Sequence, residues 1–182
     1  MSVLYIFVEG LDDEIFIRSF FWQLIERYNK VKIFRYAQRK DDQVKGLIRA
    51  TNKRNDWNYI FFTDYDAYNR ELNYNPAKKK KEIQKRYDGI LDNDKIIIVK
   101  EEIESWYCAS INYSRFKLPE LNRIKDTESV TKEKFEHIVK KRYRRVTDFM
   151  IECMKSFNLQ QGIERNQSLN KAYNYLINGE KI

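Results

Sequence analysis

Three short apolar runs, each followed directly by carboxylates, constrain the fold of this 182-residue chain more than any other feature. The runs cover residues 4–8, 59–62 and 96–99. The carboxylates that follow them are Glu9, Asp64, Asp66, Glu102 and Glu104. Runs without polar alternation indicate strands that are buried on both faces, and ligands of open parallel sheets bind beyond the carboxyl ends of the strands. The sequence therefore predicts several acids at one edge of a parallel sheet.

The spacing of apolar residues between these runs predicts helices. A helix is expected over residues 12–28, with Asp12 as its cap, and a shorter one from Asp41 or Asp42 to about residue 53. Strands are expected over residues 4–8, 31–36, 59–63 and 95–99. This alternation predicts an α/β, Rossmann-like fold with a mostly parallel four-stranded sheet flanked by helices. Residues 1–110 would form this domain, and residues 111–182 a helical extension packed on it.

Composition and charge restrict the function classes. Apolar residues make up 42% of the chain and Gly and Pro are few, as in a globular protein. A net charge of +8 suggests a polyanionic partner, although ordinary solubility explains it too. Cys108 and Cys153 fit neither a metal spacing nor a disulfide framework and are expected to be buried thiols. No signal peptide or membrane-length apolar run is visible, so we expect a cytoplasmic protein without a membrane partner.

Two pairs of carboxylates indicate a metal site. Asp64 and Asp66 are two residues apart, so at an extended strand end both face one side and can share Mg²⁺. A turn with a helix-capping Asp is the alternative reading. Glu102 and Glu104 would share a side in extended backbone but diverge by about two hundred degrees in a helix. The local backbone therefore decides whether one or both of these glutamates contact a metal.

Two basic segments are candidates for contact with nucleic acid. The first is a run of four lysines that opens a helix ending near residue 87, and the second is an Arg-rich run with an interleaved Tyr143. The candidate residues are Lys78, Lys79, Lys80, Lys81, Lys140, Lys141, Arg142, Arg144 and Arg145. Such residues neutralise phosphates and stack on bases, but a solvated helix face or helix end has the same composition.

The acidic motifs together resemble those of the Toprim domain. The matching segments are Val8-Glu9-Gly10 with Asp12-Asp13, Asp64-Tyr65-Asp66, and Glu102-Ile103-Glu104-Ser105-Trp106. The similarity is closest to the small Toprim-like relatives of the OLD-family nucleases of prokaryotic defence systems. Asn166-Gln167-Ser168-Leu169 is similar to a segment near the end of such proteins. The resemblance covers residues 4–108 well and the helical remainder loosely.

The resemblance implies a nuclease that uses Mg²⁺, with Mn²⁺ as an alternative ion. Glu9, Asp64 and Asp66 would hold one ion, and Glu102 or Glu104, together with Asp13, would complete this site or hold a second ion. Lys100, which is selected only by its position beside the third acidic cluster, would stabilise charge on the phosphate. The substrate would be DNA ahead of RNA, in defence or DNA repair. This chain carries no ATPase domain, so ATP coupling would need a partner protein. The alternative is a catalytically silent Toprim-fold subunit that binds nucleic acid within a larger complex.

Overall fold

The computed structural model describes residues 2–21, 28–65, 75–111, 113–116 and 118–178. The strands are β1 (Val3–Val8), β2 (Lys30–Arg35), β3 (Trp57–Asp64) and β4 (Ile96–Val99). The first helices are α1 (Leu11–Phe16), α2 (Asp41–Asn52), α3 (Pro76–Arg86), α4 (Glu104–Ser110) and α5 (Pro119–Asn122). The remaining helices are α6 (Lys132–Val139), α7 (Val146–Cys153), α8 (Leu159–Arg165) and α9 (Gln167–Asn178). The predicted α/β class is confirmed.

The four strands form one parallel sheet in the order β2-β1-β3-β4. The chain passes from β1 outward to β2, returns across β1 to β3, and continues in that direction to β4. This reversal places a topological switch point between β1 and β3. Ligands of doubly wound sheets bind in the crevice beyond the carboxyl ends of the two strands at such a point. Here those ends are Val8 and Asp64.

Both faces of the sheet are covered, which explains the apolar runs without alternation. Leu4 and Ile6 of β1 face a core that includes Trp106 of α4 and continues into the C-terminal helices. Their neighbours Tyr5 and Phe7 face the other core, formed with α2 and α3. Successive side chains of a strand point to opposite faces, so both sets must be apolar when helices cover both faces.

The first helix differs from the prediction for residues 12–28. The helix is capped by Gly10, and after Phe16 it continues as a π-helical turn over Ile17–Phe21. Phe16 and Phe21 are five residues apart, a spacing that a π turn brings to one side. Their rings are 5.9 Å apart and lie 5.3 and 6.1 Å from the ring of Trp106. Packing on Trp106 therefore explains the change of helix type, and residues 22–27 lie outside the described part.

The described region after α4 contains two helices that the sequence pattern did not indicate, the short α5 and the longer α8. α8 begins after Asn158, whose side-chain oxygen accepts a hydrogen bond from the backbone N–H of Gln161 (3.0 Å). Gly162 of α8 packs so closely on α4 that a Cβ there would lie 3.1 Å from Ser110 Cβ. The residue of α8 that faces α4 is a glycine and not a large apolar residue. The sequence therefore lacks the apolar spacing that would predict this helix. No helix in the described segments is long and apolar enough to cross a membrane.

Candidate metal centre at the switch point

A cleft of about 300 Å³ opens at the carboxyl ends of β1 and β3, the switch point of the sheet. Six carboxylates from three chain segments line it: Glu9, Asp12, Asp13, Asp64, Glu102 and Glu104. The structure thus brings together five of the six metal ligands expected from the sequence. The sixth, Asp66, lies outside the described residues, and Asp12 joins the set from the start of α1.

Glu9 is oriented by three hydrogen bonds to a single oxygen. The Tyr36 hydroxyl donates to Glu9 Oε1 at 2.7 Å, the Thr63 hydroxyl at 3.0 Å and the Asp64 N–H at 3.3 Å. This leaves Oε2 as the oxygen that Glu9 can offer to a ligand. Burial and the charge of Glu9 raise the pKa of Tyr36 well above its usual value, so the phenol remains a donor. Sequence reasoning missed Tyr36, because nothing local links it to residue 9.

Two carboxylate oxygens in the cleft are buried without a hydrogen-bond partner. They are Asp64 Oδ1 and Glu104 Oε1, and the Glu104 side chain is only 2% exposed. A buried polar group that lacks a partner destabilises the fold by about 1–3 kcal/mol, and by more when it is charged. Native proteins satisfy nearly all such groups, and Glu104 Oε1 has the Lys132 ammonium at 3.6 Å, so Asp64 Oδ1 is the oxygen that still calls for a donor or a cation.

Burial, with a smaller contribution from neighbouring carboxylates, disfavours ionisation of the acids in the cleft. Burial, reinforced by the charges of Asp13 and Glu9, raises the pKa of Asp64 well above its usual value. Burial raises the pKa of Glu104 to about 7, although the ammonium of Lys132 acts in the opposite direction. Burial and the charge of Glu9 raise the pKa of Asp13 to about 6. A divalent cation would reverse this trend by favouring the ionised carboxylates.

The backbone between Glu102 and Glu104 is not extended, because Ile103 has right-handed helical angles (φ −57°, ψ −25°). Glu102 precedes the cap of α4, Ile103 is the cap and Glu104 is the first helical residue. Glu102 accepts a hydrogen bond from the backbone N–H of Lys132, which anchors the start of α6. Because the backbone turns at Ile103, both glutamates line the cleft.

Lys132 brings a positive charge into the cleft. Its ammonium lies 3.5 Å from Asp12 Oδ2 and 3.6 Å from Glu104 Oε1. Burial alone would lower the pKa of Lys132, but the charges of Glu104 and Asp12 outweigh burial and raise it. The residue expected in this role, Lys100, instead forms a 3.2 Å ion pair with Glu128 and does not line the cleft. The order of residues along the chain favoured Lys100, whereas the docking of α6 brings in Lys132.

The segment from Asn166 to Ser168 supports α4 from behind the cleft. The indole N–H of Trp106 donates to Ser168 Oγ at 2.8 Å, and Ser168 Oγ donates to Asn166 Oδ1 at 2.8 Å. Glu128 Oε1 accepts from the Ser168 N–H at 2.7 Å. These residues are buried and anchor α4, the helix that begins with Glu104.

The two basic segments occupy different environments. On α3, Lys78 and Lys81 are exposed, whereas Lys80 is only 7% exposed and is therefore not part of a solvated face. The lysines and arginines among residues 140–145 are exposed at the end of α6. Three of these five pair with neighbouring acids, in the pairs Lys140–Glu136, Lys141–Glu120 and Arg145–Asp148.

The cleft suits a hard divalent cation in its chemistry. All its acidic side chains offer oxygen, the ligand atom that Mg²⁺ and Mn²⁺ prefer, and two of these oxygens have no hydrogen-bond donor. Within the described segments, however, no group of three or more Asp, Glu, His or Cys side chains is arranged so that it could hold a metal ion. Asp66 was expected among the ligands and lies outside those segments.

No protein-family model matches the chain, and no curated protein or solved structure matches it either. The functional argument therefore depends on the fold, the cleft and the residues described above.

Proposed function

We propose that this protein is a metal-dependent nuclease that hydrolyses phosphodiester bonds of DNA or RNA at the cleft between β1 and β3. One observation carries the proposal: six carboxylates line a cleft at the switch point of a parallel sheet, and the buried Asp64 Oδ1 among them has no hydrogen-bond donor. A purely structural role would leave the gathering of these carboxylates and the unpaired Asp64 Oδ1 without an explanation, because buried carboxylates without partners destabilise a fold.

Each residue of the cleft has a definite part in this proposal. Glu9, Asp64 and Glu104 would hold Mg²⁺ or Mn²⁺, with Asp13, Asp66 and Glu102 as further ligands. When bound, the ion supplies charge neutralisation at the phosphate and a water of lowered pKa. Tyr36 and Thr63 keep Glu9 in a fixed orientation, as outer-shell donors do in metal sites. Lys132 would move from its carboxylate partners to a phosphate oxygen.

A path for the substrate leads from the cleft along α6. Lys132 is the first residue of α6, and the basic run begins at Lys140, directly after its last residue. Eight residues at 1.5 Å per residue separate them by roughly 12 Å, the span of a few nucleotides. The exposed Arg142 and Arg144, together with the net charge of +8, support binding to a phosphate backbone along this direction.

The proposal extends to the compartment, the cellular process and the substrate. A Toprim-like nuclease of this size would act in the cytoplasm, in prokaryotic defence or DNA repair, on DNA ahead of RNA. Any coupling to ATP would come from a separate ATPase partner.

The test combines metal binding with cleavage. Wild type, Asp64→Asn and the surface control Glu82→Gln are titrated with Mg²⁺ and Mn²⁺ by calorimetry and then incubated with plasmid, single-stranded DNA and RNA. We expect metal-dependent cleavage in wild type and Glu82→Gln, and loss of both binding and cleavage in Asp64→Asn with its fold intact. Full cleavage by Asp64→Asn would refute the metal assignment.

A catalytically silent nucleic-acid-binding subunit is the second candidate, and the position of Lys132 favours it. The ammonium already supplies a positive partner to Asp12 and Glu104, as a site without catalytic metal would require. In that case the wild type binds nucleic acid in EDTA with the same affinity as in Mg²⁺ and never cuts it. Metal-dependent cleavage would eliminate this candidate.

A further inference from the structure

A second cavity, of about 410 Å³, lies at the open edge of the sheet. β4 is the edge strand, and its apolar core partners place α3 on one face of the sheet and α9 on the other. Three lysines reach the cavity, Lys80 and Lys81 from α3 and Lys171 from α9, above a floor that includes Ile97 and Ile98. Because adjacent residues of one strand both contribute, the cavity opens along the edge of β4.

The three lysines concentrate positive charge. In the described segments, no carboxylate lies within ion-pair distance of Lys80, Lys81 or Lys171. Burial and the charge of Lys171 lower the pKa of Lys80, and Asp94 and Asp92 only partly oppose this effect. The Lys80 ammonium donates to the Asn93 carbonyl at 3.1 Å, and an ammonium has three protons to donate. An anion bound between the two helices would complete its hydrogen bonding.

The floor of the cavity is apolar but offers one backbone donor and one acceptor. Val99 O accepts from the Tyr65 N–H at 2.8 Å, so the backbone groups of Val99 point toward β3. Backbone groups of successive strand residues point to opposite sides, and those of Ile98 therefore face the open edge. Ile97 and Ile98 belong to the cores on opposite faces of the sheet, so a flat heterocycle that continues the plane of the sheet beyond β4 can pair its edge with this backbone. The volume is within the range of small-ligand pockets, about 300–1,000 Å³.

We propose that this cavity binds a nucleotide, with its phosphate monoester between Lys80, Lys81 and Lys171 and its base against β4. The nucleotide is either free or the phosphorylated end of a nucleic-acid strand. The inference does not depend on catalysis at the acidic cleft, because none of the three lysines lines that cleft.

Binding is measured by calorimetry in EDTA, with deoxyadenosine 5′-monophosphate, deoxyadenosine and inorganic phosphate as probes. The variants are Lys171→Gln and Lys80→Met, and the control is Lys85→Gln, which removes the same charge from an exposed position of α3 outside the cavity. We expect the monophosphate to bind more tightly than the nucleoside or inorganic phosphate. Each cavity variant should weaken its binding roughly tenfold or more, as for a lost charge-assisted hydrogen bond, and Lys85→Gln should not.

Two further arms make the test decisive. The binding affinity of a 5′-phosphorylated oligonucleotide is compared with that of its 5′-hydroxyl form. A higher affinity of the phosphorylated form that Lys171→Gln abolishes identifies the strand end as the ligand. Equal affinity of the two forms identifies the free nucleotide as the ligand. Asp64→Asn should bind the monophosphate as wild type does, which separates this site from the proposed nuclease. Because Lys171 is exposed, Lys171→Gln tests the site even if Lys80→Met does not fold. Monophosphate binding that is absent, or unchanged in the cavity variants, would overturn the inference.

Discussion

Replacing Glu104 by Gln should stabilise the metal-free protein. The Glu104 side chain is 2% exposed and its Oε1 atom has no hydrogen-bond donor. Burial raises its pKa from 4.5 to about 7, which corresponds to on the order of 3 kcal/mol of folding free energy lost when the side chain is ionised. The substituted amide would be neutral but would no longer attract Lys132, so we expect a net gain of about 1–3 kcal/mol.

The gain should depend on pH in a defined direction. A carboxyl group whose folded pKa is raised binds more protons in the folded state, so its destabilising effect grows as pH rises from about 4.5 to about 7 and is complete above that. The advantage of Glu104→Gln over wild type should therefore be full at pH 8 and vanish near pH 4. Added Mg²⁺ should raise the melting temperature of wild type more than that of the variant.

Thermal unfolding in EDTA measures the effect. For a chain of this length, 1 kcal/mol shifts Tm by about 2–4 °C, so Glu104→Gln should melt roughly 2–12 °C above wild type at pH 8. The control Glu82→Gln removes an exposed carboxylate from α3 and should change stability by less than about 0.5 kcal/mol. A Glu104→Gln protein that is less stable than wild type at pH 8, or equally stabilised at pH 4 and pH 8, would refute the argument that burial of the Glu104 charge destabilises the fold.

Three further substitutions test the site and its support. Tyr36→Phe should weaken Mg²⁺ binding about tenfold in calorimetry without unfolding the protein, since Glu9 loses its shortest hydrogen bond; unchanged affinity would contradict its positioning role. Gly162→Ala should lower the free energy of unfolding by about 1–3 kcal/mol, because the new Cβ would press on Ser110. Gly46→Ala, inside α2 with nothing within 4 Å of the new Cβ, should raise it by about 0.5–1 kcal/mol. Denaturant unfolding measures both changes. A stabilised Gly162→Ala protein or a destabilised Gly46→Ala protein would contradict the prediction.

The sheet and most of the acidic site could be predicted because they follow from short-range patterns. Apolar runs indicate buried strands, and parallel strands place their carboxyl ends at one edge, so Glu9 and Asp64 meet without knowledge of side-chain packing. The order of the strands was not predicted, although the reversal at β1 is what makes the crevice between β1 and β3 the natural ligand site. Glu104 was predicted as a candidate, but its burial depends on helices far along the chain.

The residues that sequence reasoning missed reach the site through tertiary docking. Lys132 enters the cleft because Glu102 accepts the backbone N–H at the start of α6, a contact between segments thirty residues apart. Lys100 lies outside the cleft because it forms an ion pair with Glu128, and Glu128 accepts a hydrogen bond from the Ser168 N–H. A local pattern reports which residues follow a strand, but it does not report which distant helix supplies the opposite charge. Only the tertiary structure therefore identifies the basic residue of the cleft. Here that residue is Lys132, and not Lys100, which lies nearest to the acidic motif in sequence.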